Sequence, residues 1–176
     1  MGFAHVGKNV SLSTRASLYG ISSISIGDNS RIDDFCVLSA GEDGIFIGNY
    51  VHVSVFASLI GRGRIELMDF SAVSSRVSVL SSTDDFSGEF MTGPTVPVEY
   101  VGVISAPVIV GRHCVVGAGS VLLPGTIMHE GATLGALSLA KGELDSFTLF
   151  GGVPARAIKR RKDRLLDLER RFLSTL

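Results

Sequence analysis

The sequence contains no tryptophan and only two cysteines among 176 residues. Cys36 and Cys114 lie far apart, beside the apolar residues Phe35, Val37, Val115 and Val116. That spacing argues against a disulfide framework or a paired-cysteine metal site, and predicts two buried free thiols. No run of eighteen apolar residues occurs, so nothing is expected to span a membrane. The first ten residues lack the basic-then-apolar layout of a secretion signal, and a cytoplasmic, reducing setting is the expectation. Neither sign of charge dominates, with 16 Lys+Arg against 17 Asp+Glu. This balance argues against a chain-wide attraction to nucleic acid or to anionic membrane. The four histidines, His5, His52, His113 and His129, are scattered without a close-spaced pair. A three-histidine metal site is therefore not expected, and no metal is predicted.

What is abundant is glycine, at 21 residues, and apolar residues, at 45%. The glycines fall into a repeat of six with the pattern aliphatic–small–x–x–small–x. Ile26-Gly27-Asp28-Asn29-Ser30-Arg31 and Ile47-Gly48-Asn49-Tyr50-Val51-His52 are two instances. The register is cleanest late in the chain, where Val110, Val116, Leu122, Met128 and Leu134 stand six apart. A six-residue unit suits one short strand plus one corner. Three such sides close a triangular coil, and coils stack as parallel β-structure at about 4.8 Å. The first and fifth residues are expected to point inward, with Gly or Asn serving the tight turns. A coil buries its apolar side chains only against its neighbours, so stability comes from stacking. A sandwich would space its strands at roughly 8–12 residues instead. The predicted fold is all-β: a left-handed parallel β-helix over residues 1–158, with a protruding loop and a short C-terminal α-helix over 159–176.

The register breaks at about residues 83–107, a stretch holding three of the five prolines, Pro94, Pro97 and Pro107. A long irregular loop on a rigid scaffold is usually functional. Phe86, Phe90 and Tyr100 predict that it is ordered. Near the end, Leu165, Leu168, Phe172 and Leu176 recur at helical spacing and predict an amphipathic helix that caps the open end or packs on a neighbour.

The run Val110-Gly111-Arg112-His113-Cys114-Val115-Val116-Gly117-Ala118-Gly119-Ser120-Val121-Leu122-Leu123-Pro124-Gly125 resembles the hallmark of the hexapeptide-repeat acyltransferases. Gly151-Gly152-Val153-Pro154-Ala155-Arg156-Ala157-Ile158 is similar to that family's closing signature. Within the family the chain looks closest to the maltose, galactoside and surface-polysaccharide O-acetyltransferases. The resemblance implies acetyl-CoA as co-substrate, a sugar or nucleotide-sugar acceptor in glycan assembly, and a homotrimer with active sites between subunits. Two alternatives stay open: N-acetylation of an aminosugar, and a non-catalytic scaffold or binding module.

The resemblance also implies site residues. Gly117, Gly119, Ala136 and Ser138 match the flat surface along which the pantetheine arm would run. Lys141, Pro154, Arg156, Lys159 and Arg160 are candidates for the rest of the cofactor, the cations for its phosphates. Relatives carry a histidine base just before the long loop, whereas here Asp84 occupies that place. An ordinary Asp, with a pKa of about 3.9, is a weak base for a hydroxyl. The expected catalytic group is therefore His52, partnered by Asp84 or Asp85 across a subunit groove; the alternatives are Asp84 or Asp85 itself, its pKa raised by desolvation there, or an amine acceptor that needs less help. Ser54 and the loop residues Glu89, Met91, Thr92 and Tyr100 are expected to contribute to the acceptor pocket.

Overall fold

A computed structural model describes residues 2–176. Three parallel sheets run the length of a left-handed solenoid of about seven coils. The first face stacks seven strands, from His5–Val6 through Ile65–Leu67 and Val108–Val110 to Glu143–Leu144. The second runs from Ser11–Leu12 through His52–Val53 and Ala72–Val73 to Thr148–Gly151. The third runs from Ser17–Tyr19 to Leu139–Ala140. Registers are strict: Val53 pairs with Val73, Val73 with Val116, and Val116 with Leu134.

First-position aliphatics fill the interior as the repeat predicts. Val110, Val116, Leu122, Met128 and Leu134 are all buried. Fifth positions are buried too, as Ser30, Cys36, Val51, Ala57, Val77, Cys114, Ser120 and Ala132. Their polar members tie one coil to the next. The Ser30 hydroxyl donates to the Gly48 carbonyl at 2.7 Å and accepts the Val51 N–H at 3.0 Å. Ser120 does the same for Gly135 and Ser138, at 2.9 and 3.1 Å. Each hydroxyl thereby satisfies buried backbone groups that a corner would otherwise leave unpaired.

The corners differ from the expectation of Gly and Asn turns. The fourth residue of most hexapeptides is left-handed; beside Asn9, Asn29 and several glycines these include the bulky Phe35, Tyr50, Phe56, Phe70, Arg76, His113, Leu137 and Phe147, with φ between 48° and 63°. Such a conformation costs a side-chain-bearing residue about 1–2 kcal/mol. Stacking offsets it, because coil spacing matches ring spacing. Phe35 stacks on Phe56 at 5.0 Å, Tyr50 on Phe70 at 5.0 Å, and Phe70 on His113 at 5.1 Å. Each aromatic pair returns about 0.5–1.5 kcal/mol beyond its burial.

The C-terminal segment also departs from expectation. Arg156–Arg160 is a strand, not the start of a helix, and lies antiparallel on Thr148–Gly151. It covers the last coil of the second face. The helix is shorter than predicted, Leu165–Leu173. It neither caps the open end nor stands free, but docks on the first corner of its own chain. Phe172 meets Tyr50 edge-on at 5.2 Å. Glu169 pairs with Arg112 and bonds His113 Nε2 at 2.9 Å.

Second-position glycines have a separate role. A Cβ on Gly111 would sit 2.5 Å from the Met128 carbonyl oxygen of the next coil. Backbone cannot yield there without opening the stack. Gly111→Ala is expected to cost about 3 kcal/mol and to lower the thermal midpoint by roughly 10 °C. Gly2→Ala, which meets nothing within 4 Å, should leave it unchanged. Calorimetry of the two variants checks both.

Candidate active site

The long loop leaves the solenoid at the third corner on a two-residue stem, Ser82–Thr83 paired antiparallel with Ile104–Ser105. Between loop and solenoid lies a cleft of about 600 Å³. Arg62, Thr83 and Asp84 line its polar side, and Pro94, Val96 and Val98 form an apolar wall with Val101 and Val103. Asp84 is half-buried at the base of this cleft.

Asp85, the neighbouring candidate, has another task. It accepts the Ser87 hydroxyl at 2.8 Å and the backbone N–H groups of Ser87 and Gly88 at 3.1 and 2.9 Å. These bonds hold its carboxyl below 3.8, the Ser87 hydroxyl first among them. Asp85 thus organises the turn at the start of the loop. Glu89, Met91, Thr92 and Tyr100 are exposed on the loop and do not line the cleft. The Met91 N–H bonds the Tyr100 carbonyl at 2.9 Å, so these residues hold the two arms of the loop together. Pro94, Val96 and Val98 between them line the cleft instead.

His52 lies on the outer surface of the second face, and its Nε2 is 2.8 Å from Asp33 Oδ2. Asp33 also receives the Arg31 Nε–H at 2.6 Å. Burial raises the Asp33 pKa, but the bonds and charges of Arg31 and His52 outweigh it and hold the group below 3.8. The stabilisation from that carboxylate is therefore present at neutral pH and is lost only as pH falls through the depressed value. Within one chain, the partner of His52 is Asp33, not Asp84.

The second corner presents a surface of small residues. The register Val53–Val73–Val116–Leu134 places Ser54, Ser74, Gly117 and Gly135 in one column, each N–H bonded to the next coil. Nothing larger than a hydroxymethyl group projects from it. A Cβ on Gly117 would clash with the Ala136 nitrogen, so coil geometry itself demands that glycine, whereas Gly119 has φ 70° and faces only the Leu137 side chain. Ala136 is exposed beside them. Ser138 is not part of this surface. It is buried, its hydroxyl donates to the Ala136 carbonyl at 3.3 Å, and it accepts the Gly152 N–H at 3.0 Å. Fifth-position geometry turns it inward, where it braces the last turn.

The cationic candidates are spread over three corners. Pro154 and Arg156 follow the second face, near the glycine column, and the Ala155 N–H bonds Leu139 there. Lys159 and Arg160 pair with Leu149 and Thr148 across the sheet, toward the first corner, with Arg160 donating to the Ser146 carbonyl at 3.1 Å. Lys141 is exposed at the third corner, between Leu139–Ala140 and Glu143–Leu144. One chain thus gathers Gly117, Gly119, Ala136, Pro154 and Arg156, and leaves Lys141, Lys159 and Arg160 apart. Ser74 was not foreseen; its signal was its place one coil before Gly117 in the same hexapeptide position. No cluster of three or more His, Cys, Asp or Glu suited to a metal occurs among the described residues.

No family model matches the chain. A curated relative, dTDP-4-amino-4,6-dideoxy-D-glucose acyltransferase of Escherichia coli, is 49% identical over 172 residues, covering 98% of this chain and 90% of that protein. A solved structure of a variant of AntD, an N-acyltransferase from Bacillus cereus in complex with dTDP and coenzyme A, superposes with a TM-score of 0.95 at 43% identity, covering 99% and 94% of the two chains. Other solved forms of AntD carry a substitution at a serine ten positions before the aspartate altered in that variant, or hold 3-hydroxybutyryl-CoA. A maltose O-acetyltransferase from Clostridium difficile, at 17% identity and a TM-score of 0.61 over 92% of this chain and 71% of that one, shares the fold alone. The chain belongs to the hexapeptide-repeat acyltransferases. Its near relatives are acyltransferases of a dTDP-linked aminosugar.

Neither cysteine is placed for a covalent acyl intermediate. Burial pushes the Cys114 thiol up to about 12 and raises that of Cys36. The thiolate is the reactive form. Both thiols are expected to stay unmodified by a disulfide reagent at pH 8 in native protein, and to react fully once it is denatured; a thiol titration checks this.

Proposed function

We propose that the protein transfers an acyl group from acyl-CoA to the amine of a dTDP-linked 4-amino-4,6-dideoxyhexose. One observation carries the reading: the acidic group lining the cleft is the carboxylate of Asp84, and no histidine lines it. The sequence alone had favoured O-acetylation, and the near relatives favour the amine. The serine-to-aspartate spacing altered in AntD is matched here by Ser74 and Asp84, and also by Ser75 and Asp85. Geometry favours the first pair, since Asp85 is bound within the loop and the Ser75 carbonyl accepts the Gly119 N–H at 3.0 Å.

The chemistry fits a carboxylate. A neutral amine attacks the thioester carbon without prior deprotonation. As the C–N bond forms, the nitrogen becomes cationic and its proton far more acidic, within reach of a carboxylate base. A hydroxyl offers no such help, which is why sugar O-transfer calls for a histidine. Asp84 takes the nitrogen's proton, the C–S bond breaks with an amide formed, and the leaving thiolate takes up that proton, which returns Asp84 to the carboxylate. The small-residue column of Ser54, Ser74 and Gly117 receives the pantetheine arm, and backbone groups there lie open to its amides. Arg156 and, across a groove, the cations of a neighbouring subunit serve the cofactor's phosphates. The second corner and the cleft lie at opposite ends of the third face, so in this reading a homotrimer joins one subunit's column to the next subunit's cleft. The reaction belongs in the cytoplasm, where acyl-CoA and nucleotide sugars are both present.

Free-thiol release with dTDP-4-amino-4,6-dideoxyglucose and acetyl- or 3-hydroxybutyryl-CoA tests the reading. Turnover is expected with the amine and not with maltose or a galactoside. Asp84→Asn should lower kcat by roughly 10²-fold, with His52→Gln within threefold of wild type. Turnover of hydroxyl acceptors that His52→Gln abolishes would sink the proposal.

A further inference from the structure

The cleft contains one cation, and the proposed reaction gives it no role. Arg62 follows Gly61, whose φ of 151° leaves no room for a side chain against Ser81 and Ser82. The Arg62 N–H donates to the Ser82 hydroxyl at 3.2 Å. The root of this residue is therefore fixed by backbone packing at the foot of the loop stem.

Its head is free. Among the described residues, the Arg62 guanidinium has no carboxylate, carbonyl or ring partner. Its neighbours on the solenoid are all engaged. Arg64, two residues on, is held by Glu66 at 2.9 Å and lies over Phe46 at 4.0 Å. Arg31 is held by Asp33, Arg15 by Asp34, and Arg76 lies over Phe56. Arg62 also borders a second recess of about 340 Å³ with Glu42 and Asp43, and pairs with neither carboxylate. A guanidinium with a fixed root, an unpaired head and an apolar wall beside it is arranged to receive an anion. Its fork matches phosphate oxygens in pairs, and its exposed head is open to an anion entering the cleft.

We infer that Arg62 is the anchor for the diphosphate of the nucleotide-linked acceptor, an inference that rests on the nucleotide-aminosugar reading above. A hexose carrying its nucleotide at C1 and its amine at C4 presents an anion and a nucleophile from opposite sides of one ring. The cleft offers one guanidinium and one carboxylate along the same wall. Arg62 then sets which end of the sugar enters first, and so brings the amine rather than a ring hydroxyl to Asp84. It is a specificity residue and takes no part in proton transfer.

The test uses dTDP as the probe, by titration calorimetry on the full-length protein, with coenzyme A binding and thermal midpoint as controls. Wild type should bind dTDP. Arg62→Ala should weaken it by roughly 10- to 100-fold, the range for losing a charge-assisted bond. Arg62→Lys should restore part of that loss. The acceptor KM should rise in parallel, with kcat within threefold and coenzyme A affinity and thermal midpoint unchanged. A kcat that falls with the midpoint would mean a structural role and overturn the inference. Equal dTDP affinity in wild type and Arg62→Ala would overturn it while leaving aminosugar transfer standing. A wild type that neither binds dTDP nor acylates the aminosugar would overturn both readings.

Discussion

Every part of this molecule depends on equivalent residues of successive coils lying directly above one another. The parallel ladders fix that register, and burial enforces it, since a slip of one residue would turn each first-position aliphatic outward. No coil has a core of its own. Ile26 is covered only because Ile47 and Leu67 follow at the same place. The stack then serves several ends at once. Buried hydroxyls meet carbonyls one coil away, rings meet rings at the coil spacing, and small residues fall into a column.

The corners show how a conformational cost is turned to use. A left-handed residue is unfavourable for phenylalanine, tyrosine or histidine on its own. Repeated at one position of every coil, it points each ring along the axis onto the next. The first corner carries this furthest, with Tyr50, Phe70 and His113 stacked and the C-terminal helix laid against them through Phe172 and Glu169. The second corner gives up its rings after Phe56 and passes through Arg76 to Gly119.

The core was legible in the sequence because its signal is periodic: one aliphatic residue in six, with a small partner four places on. The loop was legible as the place where that period fails. Corner identity was not, because local preference points to Gly and Asn, whereas neighbouring coils decide the matter through stacking. Arg156–Arg160 was misjudged as helical for a related reason. Its charge pattern is compatible with a helix, and only the unpaired edge of Thr148–Gly151 makes a strand the better choice. Within the site, Asp84 and the glycines stood out from their positions in the repeat. The inward turn of Ser138 could have been read from the same repeat, since it holds a fifth position. The commitment of Asp85 to its own loop could not, because an acidic residue beside a turn looks the same whether it serves a substrate or a backbone.

The loop enters and leaves the solenoid without disturbing it. Leu67 before the insertion pairs with Val110 after it, in the same register as any two adjacent coils. Everything between hangs from a stem of two residue pairs. The scaffold is therefore indifferent to the length and content of this segment. In the proposed reading, donor recognition on the column and acceptor recognition in the cleft belong to separable parts of the chain, so the excursion can be rewritten for another acceptor while the coils that hold the coenzyme stay as they are.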